Sequence, residues 1–354
     1  MTTATDRTDA LAERLLSATL GALELYSVYL GSALGLYDVL ARRGPLTAPD
    51  VAEHAGIAPR YAREWLEQQA VAGLLDTDDG RFSLPAEHAR VLAEPDDLAH
   101  LAPFAHMIAG VGGVLGRLVA AYRTGGGIPF SDYGDAFRYG QGHINRPAFT
   151  HELPSDWLAA MPDVVARLES SRHARVADVG CGQGFATVAI ARAFLDAHVD
   201  GLDVDRASIA DARAHAAEAG LDSRVRFLEA DAATLPAHGA YDLVLILEAL
   251  HDMADPVAAL RAARAALTTG GTVLVVDEKV AAAFGAPGDE VERLMYGWSV
   301  THCLPTQLAE QPSAALGTVM RAGTVHELAR RAGFTRVDVL AVDNDFFRLY
   351  RLDP

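Results

Sequence analysis

The sequence predicts an α/β chain: a seven-stranded, mostly parallel sheet closed by an antiparallel C-terminal hairpin, placed behind a mainly helical N-terminal domain. Three observations predict it. Five short, mostly apolar runs (176–179, 199–202, 225–228, 243–247 and 273–276) alternate with Ala-rich helical stretches, which is the pattern of a parallel sheet covered on both faces. Two further runs, 336–341 and 346–352, are separated only by 342–345, too short a link for anything but an antiparallel pair. Through the first hundred positions apolar residues recur at helical spacing instead. With 354 residues, half of them hydrophobic, the chain can bury more than one core. Its expected divisions are 1–97, a connector at 98–160, and 161–354.

Residues 9–43 carry Leu11, Leu15, Leu16, Leu20, Leu23, Val28, Leu30, Leu34, Leu36, Val39 and Leu40, and stop at Gly44-Pro45, so one or two amphipathic helices are expected. Thr47 can cap a helix running to His54, with Asp50 in its first turn and Gly56 at its end. A third helix starts near Pro59 and continues through Trp65, Leu66 and Val71. The segment from Asp76 to Leu84, with Asp79-Gly80 inside it, reads as a turn between two short strands. Helix, turn, helix and small hairpin is the winged-helix pattern.

The stretch 98–122 is small and apolar but holds His100, His106 and Arg117, and is expected to be a helix buried between domains or subunits, too polar for lipid. After Gly125-Gly126-Gly127, residues 128–160 mix aromatic and polar side chains and read as a helical connector and active-site lid. Apolar faces on 9–43 and 98–122 point to a homodimer.

Composition excludes several classes. The formal charge is −17 and Lys279 is the sole lysine among 30 basic residues, so no Lys/Arg run exists to neutralise consecutive phosphates. A winged helix would ordinarily put its second helix into the DNA major groove, which keeps a DNA-binding regulator as a rival reading. The helix at 59–73 sets Glu64 and Glu67 against Arg60 and Arg63 and has no net positive charge, against that role. No uninterrupted apolar run is long enough for a membrane span, and the N-terminus lacks a signal-peptide layout, so a cytoplasmic location is expected. Cys181 and Cys303 stand far apart, unlike a secreted disulfide framework, and no Cys/His/Asp spacing suggests a metal site.

The most informative stretch is Asp178-Val179-Gly180-Cys181-Gly182-Gln183-Gly184-Phe185, where a strand runs into glycines and then into a helix. Glycines at the carboxyl end of a strand let the backbone turn sharply and approach a ligand. The spacing is G-x-G-x-G with an acid two residues before it, not the G-x-G-x-x-G of a dinucleotide site, since Phe185 takes the third position. This resembles the first motif of the class I methyltransferases that use S-adenosylmethionine (SAM), which fold as Rossmann-like domains. The resemblance covers about 160–354. It implies that Asp178, Gly180, Cys181, Gly182 and Gly184 form the loop around the amino-acid end of SAM. It further implies that Asp203, followed by Val204, grips the ribose hydroxyls, that Asp231 and Ala232 meet the adenine, and that Glu248 lines the pocket.

A sulfonium methyl is already activated, so the protein has to align an acceptor and, for a weak acid, remove its proton. The fourth strand ends Leu247-Glu248-Ala249-Leu250-His251-Asp252-Met253. This is similar to the Leu-His-Asp-Trp segment of winged-helix small-molecule O-methyltransferases, with Met253 in place of the tryptophan. The resemblance implies that His251 is the general base, that Asp277 orients it, and that a hydroxyl of a small molecule is the acceptor. The segment 296–305 is closer to bacterial winged-helix methyltransferases of unassigned substrate. His302 and Tyr133 are candidates to face the acceptor, and Cys303 reads as a small apolar residue. Methylation at carbon or nitrogen, or other SAM-dependent chemistry on a metabolite, stays open as the other reading.

Overall fold

The computed structural model describes residues 4–171 and 173–354 and divides into two compact units. One contains the chain through Gly112 together with Asp135–Pro147; the other contains Gly113–Gly134 and Ala148–Pro354.

In the first unit, the helices Ala4–Ala33 and Leu36–Arg43 are separated at Gly35, whose φ of 66° no side chain favours. Of the one or two helices expected over 9–43, two form. Thr47 caps Ala48–Ala55 in a reciprocal box with Asp50, and Gly56 ends that helix in the left-handed conformation. The helix Pro59–Val71 follows. Asp79-Gly80, both with positive φ, then turns β1 (Asp76–Asp78) into β2 (Arg81–Ser83). Leu36, Tyr37, Leu40, Val51, Trp65 and Leu66 make the core, and Tyr37 Oη donates to Gln69 inside it. Leu11, Leu15, Leu16, Leu20 and Leu23 of the first helix stay more than half exposed. Arg60 and Arg63 each pair with an acid of their own helix, Glu64 and Glu67.

The helix expected over 98–122 is observed as Pro103–Thr124, with His100 lying before its start. By length and composition alone its 22 residues could cross a membrane, with a mean hydropathy of 1.5. Met107, Val111, Val114, Leu118 and Ala121, spaced three or four apart, nevertheless form a face already buried in protein.

The second unit holds β3 (Arg175–Val179), β4 (His198–Asp203), β5 (Val225–Glu229), β6 (Tyr241–Leu247), β7 (Leu267–Glu278), β8 (Arg336–Val339) and β9 (Phe347–Asp353), in the order β5-β4-β3-β6-β7-β9-β8. The first five are mutually parallel, while β9 runs antiparallel to both β7 and β8. Period-two alternation sends Val176, Leu243, Leu245 and Val276 into one core with Trp157 and Ile190. Ala177, Val244, Ile246 and Val275 enter a second core with Leu260 and Leu328. Both faces are therefore covered, as the apolar strands predicted. After β5 comes a 3₁₀ segment, Ala232–Ala237, in place of an Ala-rich α-helix. The strand order reverses between β3 and β6, and in open α/β sheets ligands bind in the crevice outside the carboxyl ends at such a point.

Candidate active site

The chain leaves β3 at that crevice through the glycine loop. Gly180 has φ 76°, and a Cβ there would come within 2.5 Å of Ala249 Cβ in the loop after β6; at Gly184, φ 78°, a Cβ would meet the Phe227 ring at 2.6 Å. Both close approaches demand glycine. Gly180 and Cys181 donate their N–H groups to Leu202 O, and Gly182 N–H donates to Asp203 Oδ2 at 2.8 Å. The other Asp203 oxygen accepts from Asp205 N–H at 2.8 Å, so each oxygen keeps lone-pair capacity for a further donor. Burial, against those hydrogen bonds, raises the Asp203 carboxyl above its ordinary range.

Asp178 lies beneath the loop, where it accepts from Thr187 Oγ1 at 2.6 Å and is pushed up to about 6 by burial. It ties the strand to the following helix, Phe185–Ala193. Cys181 is buried, its thiol raised by the same cause. Val204 and Asp231 are exposed and Ala232 is half-buried, with Asp231 Oδ1 accepting from Ala233 N–H at 2.7 Å. The predicted cofactor residues thus gather at the carboxyl ends of β3, β4, β5 and β6, some under the loop and some at its rim.

Glu248 follows β6 with φ 53°, a conformation that costs a non-glycine residue energy and is held by its N–H bond to Val276 O. His251, buried on the next 3₁₀ turn, sets Nδ1 3.0 Å from Asp277 Oδ1, as the sequence implied. Two neighbours were not foreseen. Glu278 Oε2 is 3.4 Å from the same Nδ1, and Asp252 Oδ1 is 3.5 Å from Nε2. Burial alone would lower the imidazole pKa, but Glu278, Asp277 and Asp252 together carry it well above the ordinary value. Burial pushes Glu248 up to about 8 and raises Glu278 well above the ordinary carboxyl range, whereas His251 draws Asp277 down against its own burial.

The next wall comes from a π turn, Ser299–Cys303, set between the helices Glu290–Trp298 and Leu304–Gln307, and such turns often mark functional sites. Its Cys303 Sγ stands beside His251, and His302 Nδ1 is 3.5 Å from that sulfur. Tyr133 and His302 do meet, edge to face at 4.7 Å, but both are buried, and the Tyr133 hydroxyl already donates to Thr301 O. Burial holds His302 neutral, down to about 4. Gln307, also buried, clamps this wall: its amide donates to Met253 O at 2.7 Å and accepts from Gly317 N–H.

Residues 170–333 match the family model for a methyltransferase domain, and residues 21–94 match that for an Rv2258c-like winged HTH domain. The chain is a SAM-dependent methyltransferase. Acetylserotonin O-methyltransferase of Mus musculus molossinus is 28% identical to this methyltransferase over 331 residues, 88% of it and 80% of the relative. A ubiquinone biosynthesis O-methyltransferase of Xanthomonas campestris pv. campestris is 38% identical over 115 residues, so that match covers 32% of this methyltransferase and 46% of the relative, less than half its length. The solved mitomycin 7-O-methyltransferase MmcR superposes with a TM-score of 0.69 at 21% identity, over 99% of this chain and 100% of that one, which is a likeness of fold.

Asp252, Glu278, Cys303 and Gln307 are the site residues that sequence reasoning missed in this methyltransferase. Donor atoms of His251, Asp252 and Cys303 lie within 4.8 Å of one another, as do those of His251, Asp277 and Glu278. Spacing along the chain gave no sign of either group, because tertiary structure alone unites them.

Proposed function

We propose that the enzyme methylates a hydroxyl of a small-molecule acceptor, with His251 as general base and Asp277 fixing its tautomer. The observation that carries this is the buried His251–Asp277 pair at 3.0 Å, at the point where the strand order reverses and beside the glycine loop. Each of the three relatives described above is named an O-methyltransferase, which supports oxygen as the target.

When bound, SAM supplies a methyl on a positively charged sulfur, which needs no further activation. Gly180, Cys181, Gly182 and Gly184 would hold its amino-acid end over Asp178. Asp203 and Val204 would hold its ribose, Asp231 and Ala232 its adenine, and Glu248 would line the pocket. The fit rests on the bend that side chains larger than glycine would fill, and on the spare acceptor capacity of Asp203. Asp277, accepting from Nδ1, leaves Nε2 to take the acceptor's proton. Residues 98–160 would act as lid, with Tyr133 and His302 shaping the acceptor end. The exposed leucines of the helix Ala4–Ala33 would join two copies of the 1–97 region. The Arg60–Glu64 and Arg63–Glu67 pairs leave that region poorly suited to DNA.

The test is titration calorimetry. SAM and its demethylated product S-adenosylhomocysteine (SAH) should bind and NAD should not, and Asp203→Ala should weaken both by at least about tenfold, as expected for losing charged hydrogen bonds. Binding of NAD in place of SAM would refute the assignment. One observation favours a second reading: the carboxyl groups hold His251 charged, so an acceptor at nitrogen or carbon that needs no base would be served as well. Under that reading His251→Ala leaves turnover intact.

A further inference from the structure

His251 stands on a turn that does little to hold itself. The 3₁₀ segment Leu250–Asp252 is closed by Asp252 N–H to Ala249 O at 3.1 Å and Met253 N–H to Leu250 O at 3.4 Å, both longer than the usual ~2.9–3.0 Å. Asp277 orients the ring through Nδ1, but that bond does not set how far the turn stands from the wall facing it. Gln307 spans this distance. Its Nε2 donates to Met253 O at 2.7 Å, and its Oε1 accepts from Gly317 N–H at 3.1 Å. A carbonyl only accepts and a backbone N–H only donates, so these partners fix which way the amide points. The side chain is 1% exposed. Beside it, Ala314 N–H donates to Ala254 O at 2.8 Å, a second tie between the same loop and the same turn.

Gln307 also belongs to the wall. It closes the helix Leu304–Gln307, four residues after Cys303, whose sulfur lies beside His251. A Cβ at Gly317 would collide with Ser299 Oγ, so the loop that Gln307 accepts from is pressed against the start of the π turn. On its other side the wall is held by Tyr133 Oη, which donates to Thr301 O, and by Ile128 N–H, which donates to Pro305 O, each at 2.9 Å. At Gly127 a Cβ would collide with backbone atoms of Pro305, Leu308 and Ala309. The wall thus has supports of its own, and Gln307 joins it to the turn that carries the histidine.

We propose that Gln307 is a positioning residue for methyl transfer, its amide setting the spacing between the His251 turn and the wall at the acceptor end. The proposal rests on the reading of His251 as general base given under Proposed function. A base works only within ~2.6–3.2 Å of the group whose proton it takes, and a displacement of ~1 Å caused from outside the reacting groups can cost ~10²-fold in rate. Removing the amide releases Met253 O and Gly317 N–H together, so the turn and the loop lose their common brace while the His251–Asp277 pair keeps its own bond. Side chains of similar length do not replace it. Methionine offers neither bond, and an ionised glutamate can still accept from Gly317 but has no donor for Met253 O. Met253 and Gly317 are not among the residues assigned to SAM, so cofactor affinity should not depend on Gln307.

The test compares full-length wild type, Gln307→Met, His251→Ala and the double variant. The probe is the substituted phenol that wild type methylates fastest, with kcat and KM read on the alkaline plateau, where His251 is neutral. Gln307→Met should lower kcat about tenfold to a hundredfold, keep KM for the phenol within about threefold, and leave SAH affinity unchanged by calorimetry. In the His251→Ala background the same substitution should change kcat by less than about twofold, because no base is left to misplace. An unchanged kcat in Gln307→Met would overturn the proposal. So would an equal loss in both backgrounds, the mark of a merely structural role. Should Gln307→Met not fold, Gln307→Glu carries the same comparison with the same two outcomes. Full turnover in His251→Ala, or a wild type that methylates no phenol, would refute the base reading itself, and the proposal with it.

Discussion

The central sheet buries carboxylates at both of its ends, and treats them oppositely. Toward the amino ends of the strands, Asp200 accepts from Arg175 at 2.6 Å, from Arg226 at 3.0 and 2.9 Å, and from Tyr241 at 2.8 Å. Burial would raise its pKa, but these partners, Arg226 first, draw it below the ordinary range. At the carboxyl ends, Glu248, Asp252, Asp277 and Glu278 have His251 as their cation. The first group is satisfied and serves the fold. The second is left short of positive charge, a condition a protein keeps only where something else is meant to supply the balance.

Three substitutions and two pH arms test this contrast. The largest effect is expected from His251→Ala: turnover on a phenolic acceptor should fall ~10²–10⁴-fold, the usual worth of a general base, with SAH affinity unchanged by calorimetry. Full turnover in that variant would remove the base from the mechanism. Next, Asp200→Asn should cost ~2–3 kcal/mol in urea denaturation, because two guanidinium partners lose their charge-assisted acceptor, while SAM affinity stays the same. Glu278→Gln should move stability the other way or not at all, by up to ~1 kcal/mol, since it takes an acid out of a crowded buried set. A strong destabilisation there would make the two ends alike.

The smallest effects are the arms of the stability–pH curve. Asp200, depressed when folded, contributes stability that is full above its unfolded pKa and lost as acid protonates the folded carboxylate. His251, raised when folded, contributes stability that is full below ~6.5 and lost as pH rises through its folded value. Denaturation of Asp200→Asn and His251→Ala across pH should flatten the acid and alkaline limbs respectively. For the same reason turnover should climb toward alkaline pH, because His251 accepts a proton only when neutral.

What could be read from the sequence was local. The G-x-G-x-G bend, the apolar strands, the Thr47 cap and the Asp79-Gly80 turn each lie within a few residues, so periodicity and glycine placement reveal them. The charge cluster was half legible. His251 and Asp277 came from resemblance, but the pairing of Leu247 with Val276, which carries Glu248 toward Asp277 and Glu278, is a register that no local pattern encodes. Cys303 and Gln307 arrive from beyond a π turn, further still along the chain. The start of β7 at Leu267 was hidden because Thr268, Thr269, Gly270 and Gly271 interrupt the apolar run.

The contact between Gly180 and Ala249 limits how this enzyme can diversify. The two loops touch through a methyl group that has no room to grow, so neither the glycine loop nor the turn bearing the histidine can be reshaped without disturbing the other. Changes of acceptor preference, in laboratory evolution or in nature, should therefore accumulate on the opposite wall between Tyr296 and Gln307, leaving Ala249 small.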